Sequence, residues 1–294
     1  MNIRIIQSML SRILLGAGAV LLLPLLLSLY YGGPVLSFLI PALLSLLLYL
    51  LLRRRNLSPN VSLTPREGTA ITALSWIAVS LLYAIPYICS GTLSPLDGLV
   101  ESVSGLTGTG ATVINDLSPL PPSILFFRAM THWLGGLGII VIFVALFPQA
   151  GRGTTKMVNA ESTGPTSSKP LPRIKETALA LFCVYFCFTA SLVLQGHMPL
   201  PESLREALFQ SASLSSTTGY VSADFDQWPS FAKFILLLII IAGGCGGSTA
   251  GGLKVMRLIL LFKCFSAILK LHMHPRAVFH MTVGKEKFSR NTVL

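Results

Sequence analysis

Long apolar runs separated by short polar segments set the pattern of this chain. From Ile13 to Leu52 there is no Asp, Glu, Lys or Arg, and Gly32-Gly33-Pro34 interrupts that stretch. A membrane helix needs roughly 20 apolar residues, so the pattern predicts two spans, over 10–31 and 34–52, joined by a tight turn. A cleaved signal peptide would have a shorter apolar region and no second run behind it. Four later runs predict spans over 69–90, 123–147, 176–195 and 231–262. Between them, 95–107 and 203–215 are too short to cross and read as re-entrant helices.

Composition agrees with a membrane protein. The chain is 52% hydrophobic and 11% charged, with a mean hydropathy of +0.72, where soluble domains carry about 25% charged residues. The net charge of +11 invites a nucleic-acid partner, but the distribution excludes it. With the N-terminus inside, only Arg128, Arg205 and Lys233 of the 22 basic residues fall outside, as the positive-inside rule requires. Both termini are then cytoplasmic. The outer side instead holds Asp97, Glu101, Asp116, Glu202, Glu206, Asp224 and Asp226. Acid around a pore mouth would concentrate cations; outer loops simply poor in Lys and Arg would give the same picture. The five cysteines lie in or beside apolar runs, with no CxxC pair. Cys183 and Cys187 share a helix face, a spacing that suits packing better than metal binding.

One segment is written twice. Residues 99–112 read LVESVSGLTGTGAT and residues 208–220 read LFQSASLSSTTGY. A constant shift of 109 positions places Leu99 on Leu208, Ser102 on Ser211, Ser104 on Ser213, Thr109 on Thr218 and Gly110 on Gly219. A dehydrated cation needs oxygens in place of its water, and unwound backbone supplies carbonyls only where it lines a cavity. Thr107, Gly108, Thr109, Gly110 and Ala111 form one such candidate filter stretch; Ser216, Thr217, Thr218, Gly219 and Tyr220 form the other. The helix before each would aim its negative C-terminal end at the ion, which favours a cation. Small-residue helix packing would explain one such cluster, but not two in one register between spans. The fold expected is therefore an all-α polytopic membrane protein: an N-terminal helix hairpin plus two helix–re-entrant pore loop–helix repeats. The expected divisions are hairpin and basic loop at 1–65, first repeat at 66–150, polar linker at 151–173, second repeat at 174–263 and basic tail at 264–294.

The last apolar run contains a glycine-rich break, with Gly243, Gly244, Gly246, Gly247, Gly251 and Gly252 around Ser248 and Thr249. Each glycine costs about 1 kcal/mol in a helix interior relative to alanine, so a continuous helix is not expected and a gating loop below the filter is. Close helix contact is the simpler use of glycine, and Trp133-Leu134-Gly135-Gly136-Leu137-Gly138 in the first repeat represents it. A phosphate loop is excluded, since no Gly-Lys-Ser/Thr follows a strand. Arg128, His132 and Lys233 near span ends are functional candidates by default, with snorkelling to the interface an equal account. His197, His272, His274 and His280 receive no role. No Ser/His/Asp or paired-carboxylate constellation appears, so no enzyme and no catalytic residue is expected.

The segments SGLTGTGAT at 104–112, FFRAMTHWLGGLGIIV at 126–141, PRIKETA at 172–178 and IAGGCGGSTAGGLKVMRLILLFK at 241–263 resemble the Trk/Ktr/HKT superfamily of potassium transporters, most closely its Trk branch. The resemblance implies a bacterial inner-membrane protein with K+ as the transported ion and no other cofactor. It implies a potassium filter near Thr109-Gly110 and Thr218-Gly219, and a gating loop over Gly243–Gly252. A cytosolic nucleotide-binding regulatory ring of the TrkA kind would dock on the basic inner face. The departures are equally specific. The family rings one pore with four repeats, and this chain has two. Its 172–195 stretch resembles the start of the family's second repeat and 203–263 the third, with a repeat's worth of sequence missing between. A fourth repeat, and the pore-obstructing arginine it carries, is absent before Leu294. Gly108 stands where the family commonly has Thr.

Two filter segments do not ring an ion. The expectation is a shortened potassium uptake subunit in which two chains, as a homodimer, contribute two segments each. The alternative is a non-conducting membrane protein that binds the regulatory ring or a full-length partner. An intramembrane hydrolase would need a Ser or Cys reactive toward a mechanism-based probe.

Overall fold

The computed structural model describes residues 2–53, 64–117, 119–137, 183–184, 186–196, 198–243 and 251–253, helical pieces between 257 and 273, and strands at 281–283 and 286–288. Among the described residues, three stretches are long and apolar enough to cross a membrane: Ile3–Tyr31, Val35–Leu52 and Arg66–Cys89. The first divides into α1 (Ile3–Val20) and α2 (Leu22–Tyr31). Pro24 lies four residues past Val20 and cannot donate to its carbonyl, which accounts for the break at Leu21. Gly32 closes α2 in the left-handed conformation, φ 66°, so the predicted turn is there. The helix also begins earlier than the apolar run suggested, because Asn2 caps α1 and its N–H donates to Glu67 at 2.7 Å.

After α3 (Val35–Leu52), Thr64 and Glu67 form a reciprocal capping box that opens α4 (Pro65–Cys89). Two shorter helices follow, α5 (Pro95–Thr107) and α6 (Pro122–Leu137). Phe127 of α6 is fully buried and joins three elements. The rings of Phe38, Tyr83 and Tyr87 lie 5.6, 5.4 and 5.3 Å from it. The first two are edge contacts and the third is tilted; aromatic pairs contribute about 0.5–1.5 kcal/mol each beyond area burial. Ser102 anchors α5 to α4 through the Ser80 carbonyl at 2.8 Å.

The second body is smaller. Helical residues 186–194 pack against α7 (Leu200–Ser215) and α8 (Ser230–Ala242), with Phe188, Leu192, Ala207, Trp228 and Leu236 in their core. Beyond Lys233 in its first turn, helix α8 is apolar, with Phe231, Phe234, Leu237 and Ile241 exposed. That pattern suits a lipid surround. It stops at Ala242, where the glycine-rich segment begins.

The body is helical, as expected. The one departure among the described residues is an antiparallel pair in the tail, Met281–Val283 with Glu286–Phe288. The linker 151–173, residues 138–150, Cys245, Cys264 and the four loop or tail histidines lie outside the described residues. Cys89, Cys183 and Cys187 are free and exposed, so the pair expected to pack does not sit in the core.

Candidate functional site

The two short helices begin and end for reasons visible in sequence. Ser94 caps α5 by accepting from the Asp97 N–H, and Pro95 fills the first helical position, where no donor is needed. Pro199 plays the opening role for α7 without a side-chain cap. Each helix then terminates at a left-handed residue, Gly108 with φ 72° and Thr217 with φ 56°. Two residues later the left-handed angle recurs, at Gly110 and at Gly219, both φ 78°. Thr217 is the only non-glycine among the described residues with positive φ, a strained setting for a β-branched side chain.

The shift of 109 positions in sequence is also a shift in hydrogen bonds. Thr109 N–H donates to Ser104 O at 3.0 Å, and Thr218 N–H to Ser213 O at 2.9 Å. Gly108 N–H reaches Gly105 O as Thr217 N–H reaches Leu214 O. These are the paired bonds of a Schellman cap. The hydroxyls repeat as well. Thr107 Oγ1 donates to Val103 O and pairs with Thr109 Oγ1 at 2.8 Å. Ser216 Oγ donates to Ala212 O and pairs with Thr218 Oγ1 at 2.7 Å.

The ends of α5 and α7 converge. A β-carbon on Gly110 would stand 1.7 Å from the Thr218 carbonyl oxygen, so the two Thr-Gly stretches lie directly against each other. Helix α6 touches both. A β-carbon on Gly135 would meet Leu106 O at 1.9 Å, and one on Gly136 would meet Ser216 Cβ at 2.6 Å. The close-contact reading of this glycine pair is correct, and one helix uses it against two pore helices. The two copies differ in cover. Thr107, Thr109 and Ala111 are exposed, whereas Ser216, Thr218 and Tyr220 are buried.

Behind the first copy sits a buried ion pair. Arg128 Nε donates to Glu101 Oε1 at 2.7 Å, with both side chains at most 2% exposed. Thr112 Oγ1 donates to Glu101 Oε2 at 2.9 Å, and Val113 N–H reaches the same oxygen at 3.2 Å. Arg128 Nη2 adds a bond to Thr112 Oγ1 at 3.0 Å. The guanidinium lies 3.9 Å from the centre of the Tyr220 ring, and the single Tyr220 hydroxyl proton is shared between Glu101 O and Ala111 O, at 3.2 and 3.4 Å. Two expectations change. Glu101 is not a solvated mouth charge, and neither is Glu206, which is 4% exposed and bonded by Ser222 and Arg205. Arg128 and His132 do not snorkel; both are buried, His132 edge-on to Phe209 and Tyr220. Lys233 does extend outward, to the Asp226 carbonyl.

The glycine-rich break reaches the site. Gly243 leaves α8 at φ 61° and ψ −155°, which glycine alone adopts readily. Gly252 returns against it, its added β-carbon 2.8 Å from Gly243 Cα. Gly251 N–H donates to Thr217 Oγ1 at 2.7 Å. Gly244, Gly246, Gly247, Ser248 and Thr249 lie outside the described residues. Among the described residues no cluster of His, Cys, Asp and Glu could hold a metal ion.

The sequence matches the TrkH family, described as cation transport proteins, over residues 38–195 and 191–293. The chain belongs to that family. The Trk system potassium uptake protein TrkH of Escherichia coli K12 is 30% identical over 329 residues, covering 78% of this TrkH-family chain and 68% of the relative. The protein of the same name from Halomonas elongata is 29% identical over 389 residues, covering 97% of this chain and 80% of the relative. That alignment is longer than the chain's own 294 residues, so a long stretch of the relative has no counterpart in this TrkH homologue. In fold, the chain is similar to the crystal structure of the potassium transporter TrkH from Vibrio parahaemolyticus, with TM-score 0.51 and 24% identity over 100% of this chain and 81% of that one.

Proposed function

We propose that this chain takes part in potassium transport across the bacterial inner membrane as a shortened Trk-type uptake subunit. Thr107–Ala111 and Ser216–Tyr220 serve as filter segments, and Gly243–Gly252 as the gating loop. The observation that carries the reading is the twofold repetition of one cap. Two short helices end in the same left-handed turn, with the same hydroxyl pairing, and their C-terminal ends meet. Two negative helix ends converging on unwound backbone favour a cation there. The hydrogen bond from Gly251 to Thr217 supports a gate in direct contact with the filter. The names of the relatives supply potassium as the cargo. The basic cytoplasmic segments provide docking charge for a TrkA-like nucleotide-binding ring, and both termini lie inside.

The two family matches overlap at residues 191–195. We infer that the missing repeat belongs there, between helical residues 186–194 and α7. The first filter copy is exposed, and a second chain in a homodimer would cover it and bring the other two segments. The direct contact of Gly110 with Thr218 favours the second reading, a non-conducting subunit that binds the ring or a full-length partner. Expression in a bacterium deficient in potassium uptake, grown at low potassium, decides between them. Growth supports transport. No rescue despite good membrane expression defeats it, and copurification with the ring or a full-length subunit then supports the second reading.

A further inference from the structure

The backbone caps and the hydroxyl pairs of the two filter copies repeat, so the places where the copies differ are informative. Ala111 of the first copy corresponds to Tyr220 of the second, and Glu101 to Gln210. Counted from the helix starts, Pro122 of α6 and Ser230 of α8, the position corresponding to Arg128 is Leu236, an apolar residue buried at 4% exposure. One ion pair, Arg128 with Glu101, therefore stands behind both copies, and Tyr220 is the side chain through which the second copy reaches it. Its ring covers the guanidinium and its one hydroxyl proton is shared between two carbonyls of the first copy. Its own carbonyl is held by Ser213 Oγ at 2.6 Å.

We propose that Tyr220 is a positioning residue that sets ion preference by fixing the carbonyl directions of both filter copies against the buried Arg128–Glu101 pair. The proposal rests on the reading of these stretches as a filter. Selectivity in a backbone filter depends on the number and placement of carbonyl oxygens around the ion. Here a single phenol restrains Ala111 O, and a single serine restrains Tyr220 O, the corresponding atom. An arginine over an aromatic face is held both by the ring quadrupole and by its carboxylate partner, so the anchor itself is rigid. The exposed first copy has the fewest other restraints. Loss of the phenol should loosen it most, without emptying the core.

The test uses the full chain, purified and reconstituted in liposomes, with uptake of radioactive rubidium competed by potassium or by sodium. Tyr220→Phe keeps the ring on Arg128 and deletes both hydroxyl bonds; Ser213→Ala frees the Tyr220 carbonyl and leaves the phenol in place. Each variant should reduce the preference for potassium over sodium by roughly fivefold, the equilibrium equivalent of one ordinary hydrogen bond. Thermal stability in detergent should stay close to that of the parent chain for both variants, and Ser213→Ala, which lies outside both filter segments, should also keep the maximal rubidium rate. An unchanged preference in either folded variant, with uptake intact, overturns the positioning role and leaves the filter reading standing. If the parent chain neither takes up rubidium nor distinguishes potassium from sodium, the filter reading fails and this role fails with it. Should Tyr220→Phe not fold, the Ser213→Ala ratio alone decides.

Discussion

Replacing Gly135 by alanine tests the packing that holds the site. The added β-carbon would stand 1.9 Å from Leu106 O, 2.6 Å from its carbonyl carbon and 2.9 Å from its Cα. These are backbone atoms at the end of α5, and no rotamer change relieves them. Ordinary contact begins at 3.4 Å, so α6 and α5 must separate by about 1.5 Å. Overpacking of this kind costs about 1–3 kcal/mol. Helix propensity acts the other way, since alanine in a helix interior is favoured over glycine by about 1 kcal/mol. A net loss of stability would therefore mean that the clash outweighs propensity. Because the displaced backbone leads directly into Thr107 and Gly108, rubidium uptake should fall together with thermal stability in detergent. Gly136→Ala meets Ser216 Cβ at 2.6 Å and Cα at 3.1 Å and should show a smaller effect. Gly91→Ala, with φ 71° and nothing within 4 Å, should lose stability through backbone strain and keep its uptake. A Gly135→Ala protein that unfolds no earlier than the parent and transports equally well would refute the reasoning.

Three other outcomes follow from the same geometry. Arg128→Leu leaves Glu101 buried and unpaired, and should cost about 3–5 kcal/mol, measured as a fall in folded protein by size-exclusion chromatography. Arg128→Leu with Glu101→Leu together should recover much of that stability while still disturbing the Tyr220 contacts, so a folded double variant with unaltered ion preference would count against the anchor. Thr217→Gly removes a positive-φ strain of about 1–2 kcal/mol and also the hydroxyl that accepts from Gly251; the protein should be at least as stable, with faster rubidium flux, and unchanged flux would argue against a latch at that bond.

Much of the scaffold was legible because local rules govern it. The expected 95–107 helix is Pro95–Thr107 in the structure, since Ser94, Pro95 and Gly108 specify its ends without help from tertiary contacts. The end of α8 at Ala242 followed from glycine's cost in a helix. The repeated letters became repeated bonds because a left-handed cap depends on a few adjacent residues. The Arg128–Glu101 pair was not legible. Its members lie 27 positions apart on different helices, and charge counting placed both among the exposed outer residues. Burial comes from α4, α6 and α7 closing around them, which no local pattern encodes. The same holds for Gln210 and Glu206, buried on a helix whose sequence reads as amphipathic. The start of α1 at Ile3, ahead of the span expected from residue 10, is not set by the apolar run, since Asn2 and Glu67 tie that end of the helix to α4.

The constant shift of 109 positions has a practical consequence for anyone who alters this protein. Thr109 has a counterpart in Thr218 of the same molecule, each set between two left-handed residues and each donating its N–H to the corresponding serine carbonyl. A change made at Thr109 can be read beside the identical change at Thr218, in one membrane and at one expression level. The chain thus carries its own matched control, and any difference between the paired results reports on surroundings rather than on the altered group.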